Sequence, residues 1–189
     1  MTTASAARPL LRGVIHQVAF SASLVVGTLL IVGADGPRRH VAASVFAGSV
    51  AVCFGASALY HRITWAPRVR LWMRKLDHAG IYVLISGTYT PIGLLVLSGS
   101  MRWTVLALVW AGTAVAIVVR FTWAAAPKWV AAAIGLALGW VSVIALPEIV
   151  ARLDPAAVGL LLAGGLTYSA GAVVYVRRRP NPVPRIFGY

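Results

Sequence analysis

Ser57 and His61 stand four residues apart, and Asp77 and His78 follow after a stretch with five basic residues, Arg62, Arg68, Arg70, Arg74 and Lys75. On a helix, a spacing of four puts two side chains on one face about one turn apart. A hydroxyl, an imidazole and a carboxylate at one depth could do hydrolytic chemistry. Imidazole suits zinc, and a carboxylate can ligate the metal or hold and deprotonate a zinc-bound water. Such a water is a nucleophile near neutral pH and can attack an amide or ester. A simpler reading stays open beside this one. A histidine and an aspartate near a membrane surface also serve as headgroup contacts, or Asp77 pairs with Arg74 or Lys75, and a catalytic zinc usually takes three protein ligands. His78 directly follows Asp77, so on a helix it points about 100° away, and the two do not easily face one metal.

The elements that position these residues are apolar. Of the 189 residues, 60% are hydrophobic and only 11% charged. A soluble domain carries roughly a quarter charged residues, so the composition points to an all-α, polytopic membrane helix bundle. Crossing a bilayer takes about 20 residues at a rise of 1.5 Å each. Six runs qualify: residues 14–34, 41–60, 79–97, 103–119, 129–146 and 156–176. The first run lacks a convincing cleavage end and reads as a membrane helix rather than a signal peptide. Residues 1–12 are expected to form a polar N-terminal tail, and 13–189 a single transmembrane bundle. The second run is rich in small residues that allow close helix approach in lipid. Residues 62–75 read as a basic loop with Trp65 and Trp72 at the interface, and residues 147–155 as a polar turn. Pro91 lies inside the third run and should disturb it, with Thr88 or Thr90 able to satisfy freed carbonyls. The single cysteine, Cys53, excludes a disulfide within the chain and a cysteine metal motif, and reads as a small buried hydrophobe. Tyr60, Tyr82 and Tyr89 read as packing or interfacial residues.

Six spans alternate sides, which sorts the charge. Thirteen Lys and Arg fall on the side of the N-terminus and residues 62–76, against four on the other. The positive-inside rule then places the N-terminus, His61 and Asp77 on the cytoplasmic side. His16 belongs to that side as an interfacial residue or helix contact, and His40 to the far side. The net charge of +13 is spread between apolar runs, so it reads as topology signal and contact with anionic headgroups, not as a nucleic-acid surface.

The run Ser57-Ala58-Leu59-Tyr60-His61, followed by Lys75-Leu76-Asp77-His78-Ala79-Gly80-Ile81-Tyr82 and Ser86-Gly87-Thr88-Tyr89-Thr90-Pro91, resembles the bacterial hemolysin III family. That family is related to the progestin and adipoQ (adiponectin) receptors and, more distantly, to alkaline ceramidases. The resemblance implies seven helices, a cytoplasmic N-terminus, residence in the plasma membrane and zinc near the cytoplasmic leaflet. It implies His61 as a zinc ligand, Asp77 on the zinc-bound water and Ser57 beside it, with two further ligands from a His-x3-His element opening the seventh helix. Residues 186–189 resemble the run before that element, which this sequence does not contain.

The expected function is therefore a hemolysin III-type membrane protein built as a zinc-dependent hydrolase of lipid amides or esters, with weak zinc binding and impaired catalysis in this chain. The alternative is a non-enzymatic membrane-perturbing or pore-forming protein, or a receptor-like regulator of membrane state. A water-filled pore lines its path with polar residues along whole helices, and the last three spans offer only single Thr and Ser residues there. Expected partners are membrane lipids and, in an oligomer, further copies of the chain, with no nucleic acid.

Overall fold

The computed structural model describes residues 11, 13–123, 125–177 and 179. Most of the expected N-terminal tail and residues 186–189 lie outside the described residues.

Every regular element among the described residues is helical. In chain order they are α1 (Val14–Val32), α2 (Gly36–Arg62), α3 (Pro67–Pro91) with a π-helical turn at Ile92–Val96, α4 (Gly99–Thr122), α5 (Lys128–Gly139), a 3-10 stretch (Val141–Ala145), α6 (Leu146–Arg152) and α7 (Pro155–Arg177). They form six segments long and apolar enough to cross a membrane, so the protein is an all-α integral membrane bundle. Prolines sit at the first positions of α2, α3 and α6, where a missing N–H breaks no helical bond. The Asp154 carboxylate accepts the Ala157 N–H at 2.9 Å and starts α7.

The helices reach further than the hydropathy suggests. The expected loop 62–75 shrinks to residues 63–66, because α3 begins at Pro67. Asp77 is therefore ten residues inside α3 rather than at its start. Basic residues and tryptophans cost little at the headgroup level, and a helix satisfies its own backbone there as well as in hydrocarbon. The expected turn 147–155 is likewise mostly helix, with α6 running to Arg152.

α3 is the central element. It packs against α2, α4 and α5, whereas among the described residues α1 packs against α2, and α7 mainly against α5 and α6. The α2–α3 contact is the most extensive between helices among the described residues. A Cβ at Gly80 would lie 3.0 Å from the Cα of Cys53, and one at Gly87 would overlap the Ser49 side chain. Cys53, Ser49 and Ser57 are all buried along one face of α2. Small residues facing bare backbone give van der Waals contact that larger side chains would block.

Polar side chains satisfy the backbone where helices break. Pro91 is followed directly by the π-helical turn, as its missing N–H requires some rearrangement. Thr88 and Thr90 donate to the carbonyls of Ile85 and Ser86. The fifth span is interrupted at Trp140, a break no proline announces. There the buried Tyr89 hydroxyl donates to the Gly139 carbonyl at 2.7 Å and accepts the Ser142 N–H at 2.8 Å. Ser86 and Thr113 join α3 to α4 at 2.6 Å, and Thr113 also donates to the Tyr82 carbonyl. At the end opposite His61, Glu148 accepts both the N–H and the hydroxyl of Ser98, and Arg152 holds Ser98 and the Val96 carbonyl.

Tyr89→Phe removes one hydroxyl that serves two broken-helix groups. A buried polar group left unpaired costs about 1–3 kcal/mol, so the variant should unfold at lower temperature in detergent than the wild type. An unchanged melting temperature would show that the Tyr89 contacts do not hold the fifth span.

Candidate functional site at the His61 end of the bundle

The antiparallel register of α2 and α3 sets the site. With Cys53 against Gly80, the last two turns of α2 run beside the first half of α3. His61 Nε2 lies 3.9 Å from Asp77 Oδ2, with the two side chains 24% and 13% exposed. That distance makes an ion pair when His61 is protonated, but it is too long for a direct hydrogen bond. Ser57, one turn below His61 on α2, is buried at 6% exposure. The three residues singled out by spacing thus lie along one seam: Ser57 and His61 from α2, Asp77 from α3.

His16 and Gly13 also lie against His61. The His16 ring stacks on that of His61, with centroids 5.8 Å apart and an interplanar angle of 23°. Its other face meets Phe54 at 6.1 Å, and its Nδ1 is buried without a hydrogen-bond partner. Gly13 has φ 78°, a left-handed conformation that glycine adopts without strain. A Cβ there would come 2.7 Å from the Cβ of His61, so the chain entering α1 passes against the base of the His61 side chain. The Gly13 contact has no signature in the sequence beyond the glycine itself.

Asp77 and His78 part company as helical geometry requires. Asp77 faces α2, while His78 meets the ring of Tyr175 on α7, with centroids 6.5 Å apart. Tyr175 also carries the Lys128 ammonium 5.0 Å over its ring. Lys75, which the sequence allows as a partner for Asp77, instead donates to the Phe121 carbonyl at 3.0 Å and lies over the Trp72 and Phe121 rings. Arg74, which the sequence also allows as a partner for Asp77, and Arg120, counted from the sequence as a topology charge, both bury their Nε atoms without a hydrogen-bond partner. The missed signal is the position of Arg120 at the end of an apolar run, since ionisable groups in such segments are costly and tend to be functional.

Zinc ligands sit about 2.0–2.2 Å from the ion, so two donors of one ion are at most about 4.4 Å apart. The His61–Asp77 separation satisfies that bound. The described residues gather no group of three His, Cys, Asp or Glu able to hold a metal. They fit part of a zinc shell, short of the three protein ligands of a catalytic site.

A family described as haemolysin-III related matches residues 4–189. The chain belongs to this family. Among its haemolysin-III relatives, Hemolysin-3 of Bacillus cereus is 33% identical over 136 residues, covering 72% of this chain and 62% of that protein. The Hemolysin-3 homolog of Bacillus subtilis (strain 168) is 32% identical over 139 residues, 74% of this chain and 65% of that protein. The chain therefore spans less than two thirds of the length of these haemolysin-III proteins. No solved structure matches it. The runs around His61, Asp77 and Pro91 pointed to the same family.

If His61 and Asp77 interact across the seam, their effects on stability are coupled. A double-mutant cycle with His61→Ala and Asp77→Ala should give an interaction energy of about 0.5 kcal/mol or more in unfolding. Additivity of the two single substitutions within about 0.3 kcal/mol would sink the pairing.

Proposed function

We propose that this haemolysin-III relative is a zinc-dependent membrane hydrolase acting on lipid amides or esters. The observation that carries the reading is the approach of His61 to Asp77 across the α2–α3 seam, with buried Ser57 one turn below. In this proposal His61 is one zinc ligand, and the ion, when bound, supplies Lewis acidity toward the substrate carbonyl. His61 and Asp77 alone do not complete the shell, so no reaction step is assigned to the metal. The protein's own groups have definite tasks. Asp77 orients an attacking water and takes its proton as general base. Ser57 donates its hydroxyl to the oxygen that becomes negative as the carbonyl is attacked, a role that grows in a water-poor site. The stacked His16 and the Gly13 backbone restrict how His61 can turn, so its ring is set before substrate arrives.

The site belongs to the cytoplasmic leaflet of the plasma membrane in this proposal, with the N-terminus inside. Support comes from the thirteen-to-four asymmetry of basic residues. The partners are membrane lipids and, through the exposed flanks of α1 and α7, further copies of the chain. A second reading is favoured by the name of the relatives, Hemolysin-3: a protein that perturbs membranes without catalysis.

Metal content and turnover test the first reading together. The purified protein supplied with zinc should hydrolyse a fluorogenic acyl amide or ester lipid. General-base catalysis contributes about 10²–10⁴-fold, so Asp77→Asn should lose about that factor in kcat while remaining folded, and His61→Ala should lower zinc per chain. Turnover that survives Asp77→Asn undiminished, or zinc content indifferent to His61, would reject this assignment. Dye release from liposomes by the catalytically silent variant would favour the haemolytic reading instead.

Orientation has its own check. Ala66→Cys and Ser100→Cys place thiols at opposite ends of the bundle. A membrane-impermeant maleimide added to intact cells should label position 100 and reach position 66 only after permeabilisation. The reverse pattern would overturn the proposed orientation.

A further inference from the structure

At the His61 end, Arg74 of α3, Arg120 of α4 and Lys128 of α5 all act electrostatically on His78. Arg120 is only 9% exposed. Its Nε is buried and makes no hydrogen bond, and the same holds for the Nε of Arg74. Lys75 reaches the Phe121 carbonyl at 3.0 Å, so α3 and α4 lie side by side at the level of Arg74 and Arg120, and the two guanidinium groups also act on each other. Among the described residues the ion pairs are His61 with Asp77 and Glu148 with Arg152, so neither arginine has a carboxylate at ion-pair distance. Among the described residues, Asp77 is the carboxylate whose charge reaches this group, and it already faces His61.

Several carbonyls in the last turn of α4 are engaged by other groups. The last turn of α4 has free carbonyls that could have taken the Arg120 guanidinium, and the negative end of the helix dipole favours a cation there. Yet Val118 accepts from the Thr122 hydroxyl, Val119 from the Trp123 N–H, and Phe121 from Lys75. Two like charges thus act on each other, Arg120 buried and Arg74 half-buried, each with a buried Nε donor left over. A buried unpaired charge is strongly unfavourable, and an unsatisfied buried group in a native protein calls for an explanation such as an ion or ligand.

We propose that Arg74 and Arg120 bind a phosphate-bearing anion between α3 and α4, either the phosphodiester of an anionic lipid headgroup or a free phosphate. A guanidinium presents paired N–H donors in the geometry of phosphate oxygens. A phosphate carries enough acceptors to engage both forks at once, which a two-oxygen carboxylate does less well. Lys128, held over Tyr175, adds positive charge at the rim. Basic pockets between transmembrane helices on the cytoplasmic side are suited to lipid headgroups. The site requires neither metal nor turnover, so it stands or falls separately from the hydrolase reading.

Binding to the full chain, delipidated in a neutral detergent, tests this. Thermal unfolding is followed while dioleoyl phosphatidylglycerol, dioleoyl phosphatidylcholine or inorganic phosphate is titrated in. The wild type should show saturable stabilisation by phosphatidylglycerol, and Arg120→Gln should weaken its apparent Kd at least tenfold. Arg120→Lys keeps the charge without the fork and should fall between them. Arg38→Gln, at the opposite end, should leave it unchanged. If Arg120→Gln does not fold, Arg74→Gln replaces it with the same expectation. Saturation by inorganic phosphate with the same loss assigns the site to a soluble anion, and saturation by phosphatidylglycerol alone assigns it to a lipid. A Kd within twofold of wild type in the folded arginine variant, or equal loss in Arg38→Gln, overturns the proposal.

Discussion

Gly80 and Gly87 turn bare backbone toward Cys53 and Ser49, and that contact governs the rest of the molecule. Lipid tails are as apolar as a leucine side chain, so burial of apolar area does little to hold two helices together inside a bilayer. Close packing and internal hydrogen bonding must do it instead. The α2–α3 seam uses the first and sets an antiparallel register. The second appears along the opposite face of α3, where Ser86, Tyr89 and Thr90 reach α4 and the fifth span. One helix is thereby fixed from both sides, and Asp77 inherits its position from that fixation.

The same constraint explains where the polar atoms are. Every interruption of a helix within the hydrocarbon exposes backbone groups that lipid cannot satisfy. The break at Trp140 is tolerated because one tyrosine hydroxyl both donates and accepts there. The turn between the third and fourth spans is tolerated because Arg102 takes the Gly93 and Leu97 carbonyls while Glu148 takes the Ser98 N–H. The Nε atoms of Arg74 and Arg120, like Nδ1 of His16, stand out against this economy, as buried atoms without a hydrogen-bond partner among the described residues.

Much of this was legible in the residues. Mean hydropathy over twenty positions is a collective property, and it located all six spans. The spacing of Ser57 and His61 and the offset of Asp77 from His78 follow from helical geometry, which holds at any depth. Helix ends were less legible. Residues 67–76 look like a loop because their charges and tryptophans suit an interface, yet the interface does not forbid a helix. The break at Trp140 has no local marker, since its cause is a hydroxyl fifty-one positions away in the chain, at Tyr89. The burial of Arg120 was not legible for a different reason: counting a charge for topology says nothing about whether a counter-charge accompanies it.

The connector between α2 and α3 is four residues, 63–66. Such a short closure carries a small entropic cost, and contacts between neighbouring segments of the chain form quickly. Sixteen positions separate His61 from Asp77, so both lie within one helical hairpin. As the chain is made, that hairpin is complete before α4 emerges. The chemistry-bearing pair is therefore set by an early tertiary contact, made once α3 joins α1 and α2, and the later spans assemble around a seam that already exists.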